Sequence, residues 1–537
     1  MKVLVTPYSL TIFRNLFEGI AEEMGVGLAR SAFSPNIRER LDFSCALFDR
    51  DGRLLAQAAH IPVHLGSMPE LVRAVAASER FRKGDVLAAN DPFVGGTHLP
   101  DITLIQPLYD GHEPFGFAAA RAHHADVGGM SAGSMGVARE IFQEGLILPV
   151  VRLLRAGQRQ NDVWSLILRN VRTPREREGD LLAQLSACRI AQKRLDELLA
   201  RYGSEGVAAH SLALLDYSEE LARRGLRSFG RAEACHSDHL EFEGELYPIH
   251  LRLTLTGDGA VCDFTGSSAA VPGPLNAPYP VTCAGVYYCF QCLLGPDVPA
   301  NDGAFRPVTI TAPEGSVVRA TFPAAVAAGN VETSQRVVDV VLGALAQILP
   351  DRIPAASAGT MNNLAIGGRD PSRGTAFAYY ETLGGGAGGG PGVPGASGIQ
   401  VHMTNTRNTP AEAIETETPL RVRRYSLRTG SGGRGRCPGG EGIVREIELL
   451  APCTVSLLAQ RRLQAPPGAA GGEAGLPGED RLLHPDGRSE KLPAQFTREL
   501  PAGSVISLHT PGGGGWGCAD EGLCGSMEGG GCQKASK

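Results

Sequence analysis

Long glycine runs constrain this chain more than any other feature. GGGAGGG at 384–390 and SGGRGRCPGGEG at 431–442 lie in a chain with 69 glycines among 537 residues. Glycine inside a helix costs roughly 1 kcal/mol relative to alanine, whereas it suits tight turns and close backbone approaches. Strand-and-loop architecture therefore fits better than a helical bundle, above all beyond Thr375. The length allows two to four domains, since single cores rarely grow past roughly 250–300 residues.

Hydrophobic periodicity divides the rest. Ile12, Phe13, Leu16, Phe17, Ile20 and Met24 fall at helical spacing, which predicts an amphipathic opening helix over Thr11–Arg30. Two short apolar runs around Asp51-Gly52 predict a hairpin. A helix from Pro69 to Ser78 follows, then a strand in GDVLAANDP and two further strands within 90–126. Leucines from Leu181 to Leu226 predict an antiparallel helix pair broken near Gly203. Alternation at Ile249, Leu251, Leu253 and Leu255 marks a switch to strands, and VETSQRVVDVVLGALAQILP reads as a helix ended by Pro350. The expected fold class is mixed α/β (α+β) and multi-domain, with a strand-rich, Gly-rich C-terminal half. We place an N-terminal α/β domain at 1–230, a mixed strand and helix domain at 231–375 and a Gly-rich, strand-rich domain at 376–517. The tail 518–537 has no periodicity and is expected to be disordered.

Charge excludes one class of partner. Charged residues make up 20% and the formal net charge is only -6, so nothing favours a polyanion, and nucleic acid is not expected. The start, MKVLVTPYSL, is too short in apolar residues for a signal-peptide core, and no run approaches the roughly 20 residues that cross a bilayer. A cytoplasmic location without membrane contact is the expectation. The 12 scattered cysteines, including Cys45, Cys188 and Cys283, read as reduced core thiols.

Candidate chemistry concentrates between Asn90 and Asp126. His98 and Asp101, spaced H-x-x-D after a Gly-Gly turn, and His123 at the end of the next apolar run supply nitrogen and oxygen donors from two strands, a set that suits Zn, Mn or Fe. The bland alternative is that His98 caps a turn, Asp101 is a solvated strand end, and His123 and His124 are ordinary strand residues. Upstream, NIRERLDFS offers Asp42 or Glu39 as a further ligand. Either could instead pair with Arg38 or Arg40. His60 and His64, four apart around a proline, read equally as a substrate-pocket loop or a plain turn. Cys289 and Cys292 have C-x-x-C spacing but apolar surroundings and no second pair, which favours core thiols. The glycine runs lack the Gly-Lys-Ser/Thr ending of a P-loop and read as turns and close backbone contacts. No G-x-S-x-G elbow is present, which disfavours a serine hydrolase.

SPNIRERLDFSCALFD, HIPVHLGSMPE, NDPFVGGTHLPDITLIQP, HHADVGG, EIFQEGL, RPVTI with PEGS, and SGGRGRCPGGEG together resemble the hydantoinase B and 5-oxoprolinase family over Thr11 to Trp516. Its relatives include acetone and acetophenone carboxylase subunits. The resemblance implies a B-type subunit in a hetero-oligomer with a larger A-type subunit, which binds ATP and Mg and phosphorylates the substrate carbonyl oxygen. It further implies a metal on His98, Asp101 and His123, with Asp42, or less surely Glu39, as the acidic ligand. The activity then expected is ATP-dependent opening of a cyclic amide or imide, with His124 or Asp126 as general base and Glu144 a weaker candidate. The alternatives are a ketone carboxylase subunit and a non-catalytic organising subunit with a structural metal. HHADVGGMSAGSMG, the RCPGG segment and the Cys-rich tail depart from the family pattern, which bears on substrate choice more than on the metal.

Overall fold

The computed structural model describes residues 4–58, 60–78 and 80–519. Helices and mostly antiparallel sheets alternate in it, as the mixed fold class requires. The expected tail lies, from 520 onward, outside the described residues.

The opening helix runs Pro7–Ser31, longer than the periodicity suggested, because Thr6 forms a capping box with Ser9 and Pro7 occupies the first turn. Its face of Phe13, Phe17, Ile20 and Met24 packs on a seven-stranded sheet together with the helix Pro174–Tyr202. The hairpin around Gly52 forms the strands Phe43–Asp49 and Leu54–Gln57 at one edge of that sheet. Its centre is the strand pair Asp101–Asp110 and Glu113–His123, whose register sets Asp101 opposite His123. The leucine-rich region forms Pro174–Tyr202 and Ser204–Arg227, broken at Gly203 as the sequence suggested.

One helix begins earlier than expected. It runs His64–Ser78 with Pro69 inside rather than at its start. Proline costs the bond that Leu65 would accept, and burial of Leu65, Met68, Leu71 and Val72 holds the extra turn. That early start carries His64 inward.

A second sheet of four strands, Arg231–Phe242, Glu245–Thr256, Ala260–Asp263 and Val308–Thr311, is covered by the helices Tyr279–Leu294 and Ser334–Ile348. The latter is preceded by a π-helical turn at Gly329–Thr333, where a continuous α-helix was expected. Cys289 and Cys292 lie on Tyr279–Leu294. Cys289 is buried, but Cys292 is exposed rather than a core thiol because it faces away from the sheet-side core, and no disulfide joins any two described cysteines.

The C-terminal half holds a four-stranded and a five-stranded sheet sharing one apolar core. Beside them the glycine runs interlock through backbone alone: Gly389 N–H donates to Gly514 (2.8 Å), Gly433 N–H to Gly513 (2.8 Å) and Gly513 N–H to Gly440 (2.9 Å). A methyl group at Gly513 would overlap the carbonyl of Ala387, and one at Gly440 that of Ala396. Close backbone approach is what these runs supply. No described helix is long and apolar enough to cross a membrane.

Candidate metal centre

Three strand ends and one helix end meet in a buried chamber of about 20 Å³, enough for one ion or one water. His98 follows the Gly95-Gly96 turn, where its carbonyl accepts from Asp101 N–H (3.0 Å). Asp101 opens its strand, and His123 closes the neighbouring one at the directly opposed position. All three are at most 2% exposed.

Their donor atoms form a nearly equilateral triangle. His98 Nε2 lies 3.0 Å from Asp101 Oδ1, His123 Nδ1 lies 3.1 Å from the same oxygen, and the two nitrogens are 3.1 Å apart. An imidazole nitrogen has one in-plane lobe and can aim it at one partner only. Hydrogen bonds therefore cannot satisfy three mutual contacts, whereas one cation at the centre can. Ligands at about 2.0–2.1 Å from an ion and about 90–109° apart are separated by about 3.0–3.4 Å, which the triangle matches. The residues present fit a divalent metal.

Asp101 has further contacts. Its Oδ2 accepts from Thr97 Oγ1 and lies 3.4 Å from His64 Nε2 and 3.5 Å from Asn330 Nδ2. Burial would raise its carboxyl, but the adjacent His98 charge and the hydrogen bonds of His123, His64 and His98 hold it well below the usual carboxylate range. Burial likewise opposes protonation of His98, and Asp101 outweighs it, so His98 is raised. His64 is lowered, chiefly by burial. Its Nδ1 sits 2.7 Å from Ser44 Oγ.

The remaining candidates separate cleanly by position. Asp42 lines the chamber, its carbonyl accepts from His123 N–H (3.0 Å), and its carboxylate is 3.9 Å from Arg40 Nη1. It stands outside the triangle of donors. Glu39 does not line the chamber and pairs with Arg38 at 2.8 Å. His124, Asp126 and Glu144, the three general-base candidates, do not line it either. Successive residues of extended chain face opposite ways, and His124 meets Gln184 (2.9 Å) on the far side. Burial, then Arg177, lowers His124 to about 4. Asp126 is held by Arg172 at 2.8 Å. Glu144 accepts from the N–H groups of Val326 (2.9 Å) and Ala327 (2.8 Å), and the carbonyl of Ala327 is 3.2 Å from His98 Nδ1. Burial pushes Glu144 up to about 7. It braces the loop behind His98 and has no access to the chamber.

Sequence reasoning missed Asn330, Glu332 and Tyr380. Asn330 enters the chamber from the π-helical turn, a distortion often found at functional sites. The available signal was a polar run, Asn330 to Arg336 apart from Val331, leading an otherwise apolar helix, and all of it is buried.

Beyond Ile61, which lines both spaces, a cleft of about 630 Å³ opens between the first helix and Tyr279–Leu294. His60 lies on its wall, tilted against Phe43 with ring centroids 4.6 Å apart. The chamber has room for one ion or one water, and the cleft beside it has room for an organic ring.

Known proteins resemble the chain over most of its length. It is 41% identical to 5-oxoprolinase 1 of Arabidopsis thaliana over 95% of its own length, but spans only 41% of that protein. It is 32% identical to a candidate B-type D-/L-hydantoinase chain of a Pseudomonas species, covering 96% of itself and 90% of the relative. Among solved structures it matches the ATP-dependent caprolactamase from Pseudomonas jessenii with a TM-score of 0.89 and 30% identity, over 96% of this chain and 91% of that one. Acetone carboxylase shares the fold, with a TM-score of 0.85 at 17% identity over 96% and 76% of the two chains. The family model for hydantoinase B/oxoprolinase matches residues 6–519, and the chain belongs to that family.

Proposed function

We propose that this chain is the B-type subunit of an ATP-dependent hydrolase of cyclic amides, opening a hydantoin or 5-oxoproline-like ring that an A-type partner has phosphorylated on its carbonyl oxygen. One observation carries the reading: three buried donor atoms, His98 Nε2, Asp101 Oδ1 and His123 Nδ1, at mutual distances of 3.0–3.1 Å. These residues would hold Zn, Mn or Fe, with Asp42 beside them. When bound, such an ion supplies Lewis acidity toward a carbonyl and its attacking water.

The chain's own residues do the rest. The apolar wall of Ile61, Leu65 and Val298 takes the ring in the cleft, and Ile61 sets the boundary at which the carbonyl meets the chamber. Burial of the chamber excludes bulk water, which strengthens every electrostatic contact inside it. Asn330 and Asp42 are the polar groups placed to orient a water there. In the net reaction, the cyclic amide, ATP and two waters give the ring-opened amino acid, ADP and phosphate. The C–N bond breaks, its nitrogen takes a proton, and the phosphoryl group leaves with an oxygen.

Support for hydrolysis over ketone carboxylation comes from the 30% identity to a caprolactamase, against 17% to acetone carboxylase. Sequence coverage of 41% of a 5-oxoprolinase leaves the greater part of that protein to the function we assign to a partner. The test is the purified pair with ATP and hydantoins, 5-oxoproline or lactams. Ring opening coupled to ATP, lost in His98→Ala and His123→Ala, is expected. Bicarbonate-dependent product from ketones without ring opening contradicts the reading. So does full turnover in both variants after they have lost metal, which would mark the chain as a non-catalytic organiser.

A further inference from the structure

The two histidines of the cluster are oriented by different means. A ligating imidazole is normally fixed by a hydrogen bond from its second nitrogen. His98 follows that rule, with Nδ1 3.2 Å from the carbonyl of Ala327. His123 does not: its Nε2 is buried without a hydrogen-bond partner. Instead the ring of Tyr380 lies parallel to it, with centroids 4.5 Å apart and an interplanar angle of 14°.

Tyr380 comes from the strand Thr375–Glu381, which belongs to a different sheet from His123. It is itself fixed at both ends. Its hydroxyl donates to Asn363 Oδ1 (2.8 Å), whose amide donates to Glu332 Oε1 (2.8 Å) and to the carbonyl of Leu458 (3.1 Å). Glu332 also accepts from Met361 N–H (3.0 Å). At the other end, Arg40 donates to the Tyr380 carbonyl (3.1 Å), and its guanidinium carbon is 5.0 Å from the ring centroid. Asn36, which Arg40 also contacts, donates to the carbonyl of His123 (2.7 Å).

We propose that Tyr380 is a positioning residue for His123, doing by stacking what the Ala327 carbonyl does for His98 by hydrogen bonding. The inference rests on the metal reading above. It makes the geometry of a site on the first sheet depend on a residue of the third, with Asn363 and Glu332 as the anchor of that residue.

The test is cobalt(II) binding to the full chain, read as affinity and as the visible d–d bands, which report ligand geometry without turnover. Tyr380→Leu is expected to weaken binding by about 10–100-fold and to shift the bands, in the range of outer partners at metal sites. Tyr380→Phe, which keeps the ring but loses the anchor, is expected to weaken it a few-fold. Cobalt bound by Tyr380→Leu with the affinity and bands of wild type, while His98→Ala has lost it, overturns the inference and leaves the metal reading standing. Wild type and His98→Ala with equal binding overturn the metal reading itself, and the inference with it. Should Tyr380→Leu fail to unfold cooperatively, Tyr380→Phe and Asn363→Ala decide: shifted bands support the positioning role, and bands identical to wild type refute it.

Discussion

Asp238 and Asp339 sit between Arg336 and Arg461 at 2.6–3.0 Å, whereas Asp101 sits among His98, His123 and His64 at 3.0–3.4 Å. Both clusters are buried except for Asp238, which is half-buried. The first balances two carboxylates with two guanidiniums and ties the second sheet to the loop after Cys453–Leu458 in the third. The second offers one carboxylate and three imidazoles, whose donor atoms crowd a space of about 20 Å³. A charge cluster that closes on itself is a fastening. One that leaves a triangle of donors around a void fits a cation, and substitutions in the two clusters are expected to separate metal binding from stability.

The largest effect is expected for Asp101→Asn, which removes the one carboxylate of the triangle. Its metal affinity should fall by more than the about 10–100-fold typical of outer partners, with cooperative unfolding retained; elemental analysis after dialysis and urea titration measure the two. Asp339→Asn should do the reverse. Leaving Arg336 and Arg461 underpaired costs about 3–5 kcal/mol in urea, with metal content unchanged. Loss of metal in Asp339→Asn would break the comparison.

A third effect follows from two carboxyls that neither cluster uses. Burial pushes Glu332 up to about 8 and Glu144 up to about 7, and nearby hydrogen bonds and cations, Arg462 and Arg336 or His98, only moderate this. Between about pH 4.5 and 8 the folded chain therefore binds more protons than the unfolded one, so stability falls as pH rises. The stabilisation is complete below the unfolded value and is lost on passing the folded ones, with a size on the order of 3–5 kcal/mol for each group. Glu332→Gln, which keeps the acceptor for Met361 N–H, should flatten the upper part of that slope in urea midpoints measured across pH. The smallest effect is expected for Arg38→Ala. Its pair with Glu39 is partly exposed, so the loss should stay below about 1 kcal/mol and metal content should not change.

Much of this was legible in residue spacing, for a physical reason. His98, Asp101 and His123 lie at the ends of adjacent antiparallel strands, and such pairing makes sequence neighbours into spatial ones. The glycine runs were legible too, since close backbone approach excludes a side chain whatever the partner. Contacts between sheets were not. Tyr380 reaches His123 from 257 positions away, and nothing in the period of either strand encodes that meeting. The general-base candidates His124 and Asp126 were chosen by nearness in sequence, which alternation along extended chain defeats, because each step turns the side chain to the other face. His64 was left open between a pocket loop and a plain turn because Pro69 read as a helix start rather than as a proline tolerated within the second turn.

The most direct test of the central claim is anomalous X-ray scattering from crystals of the full chain supplied in turn with zinc, manganese and iron. The account expects a single strong peak per chain bound by His98, Asp101 and His123, absent from crystals of Asp101→Asn. No peak in that chamber at any of the three edges, or a peak that survives Asp101→Asn unchanged, would contradict it.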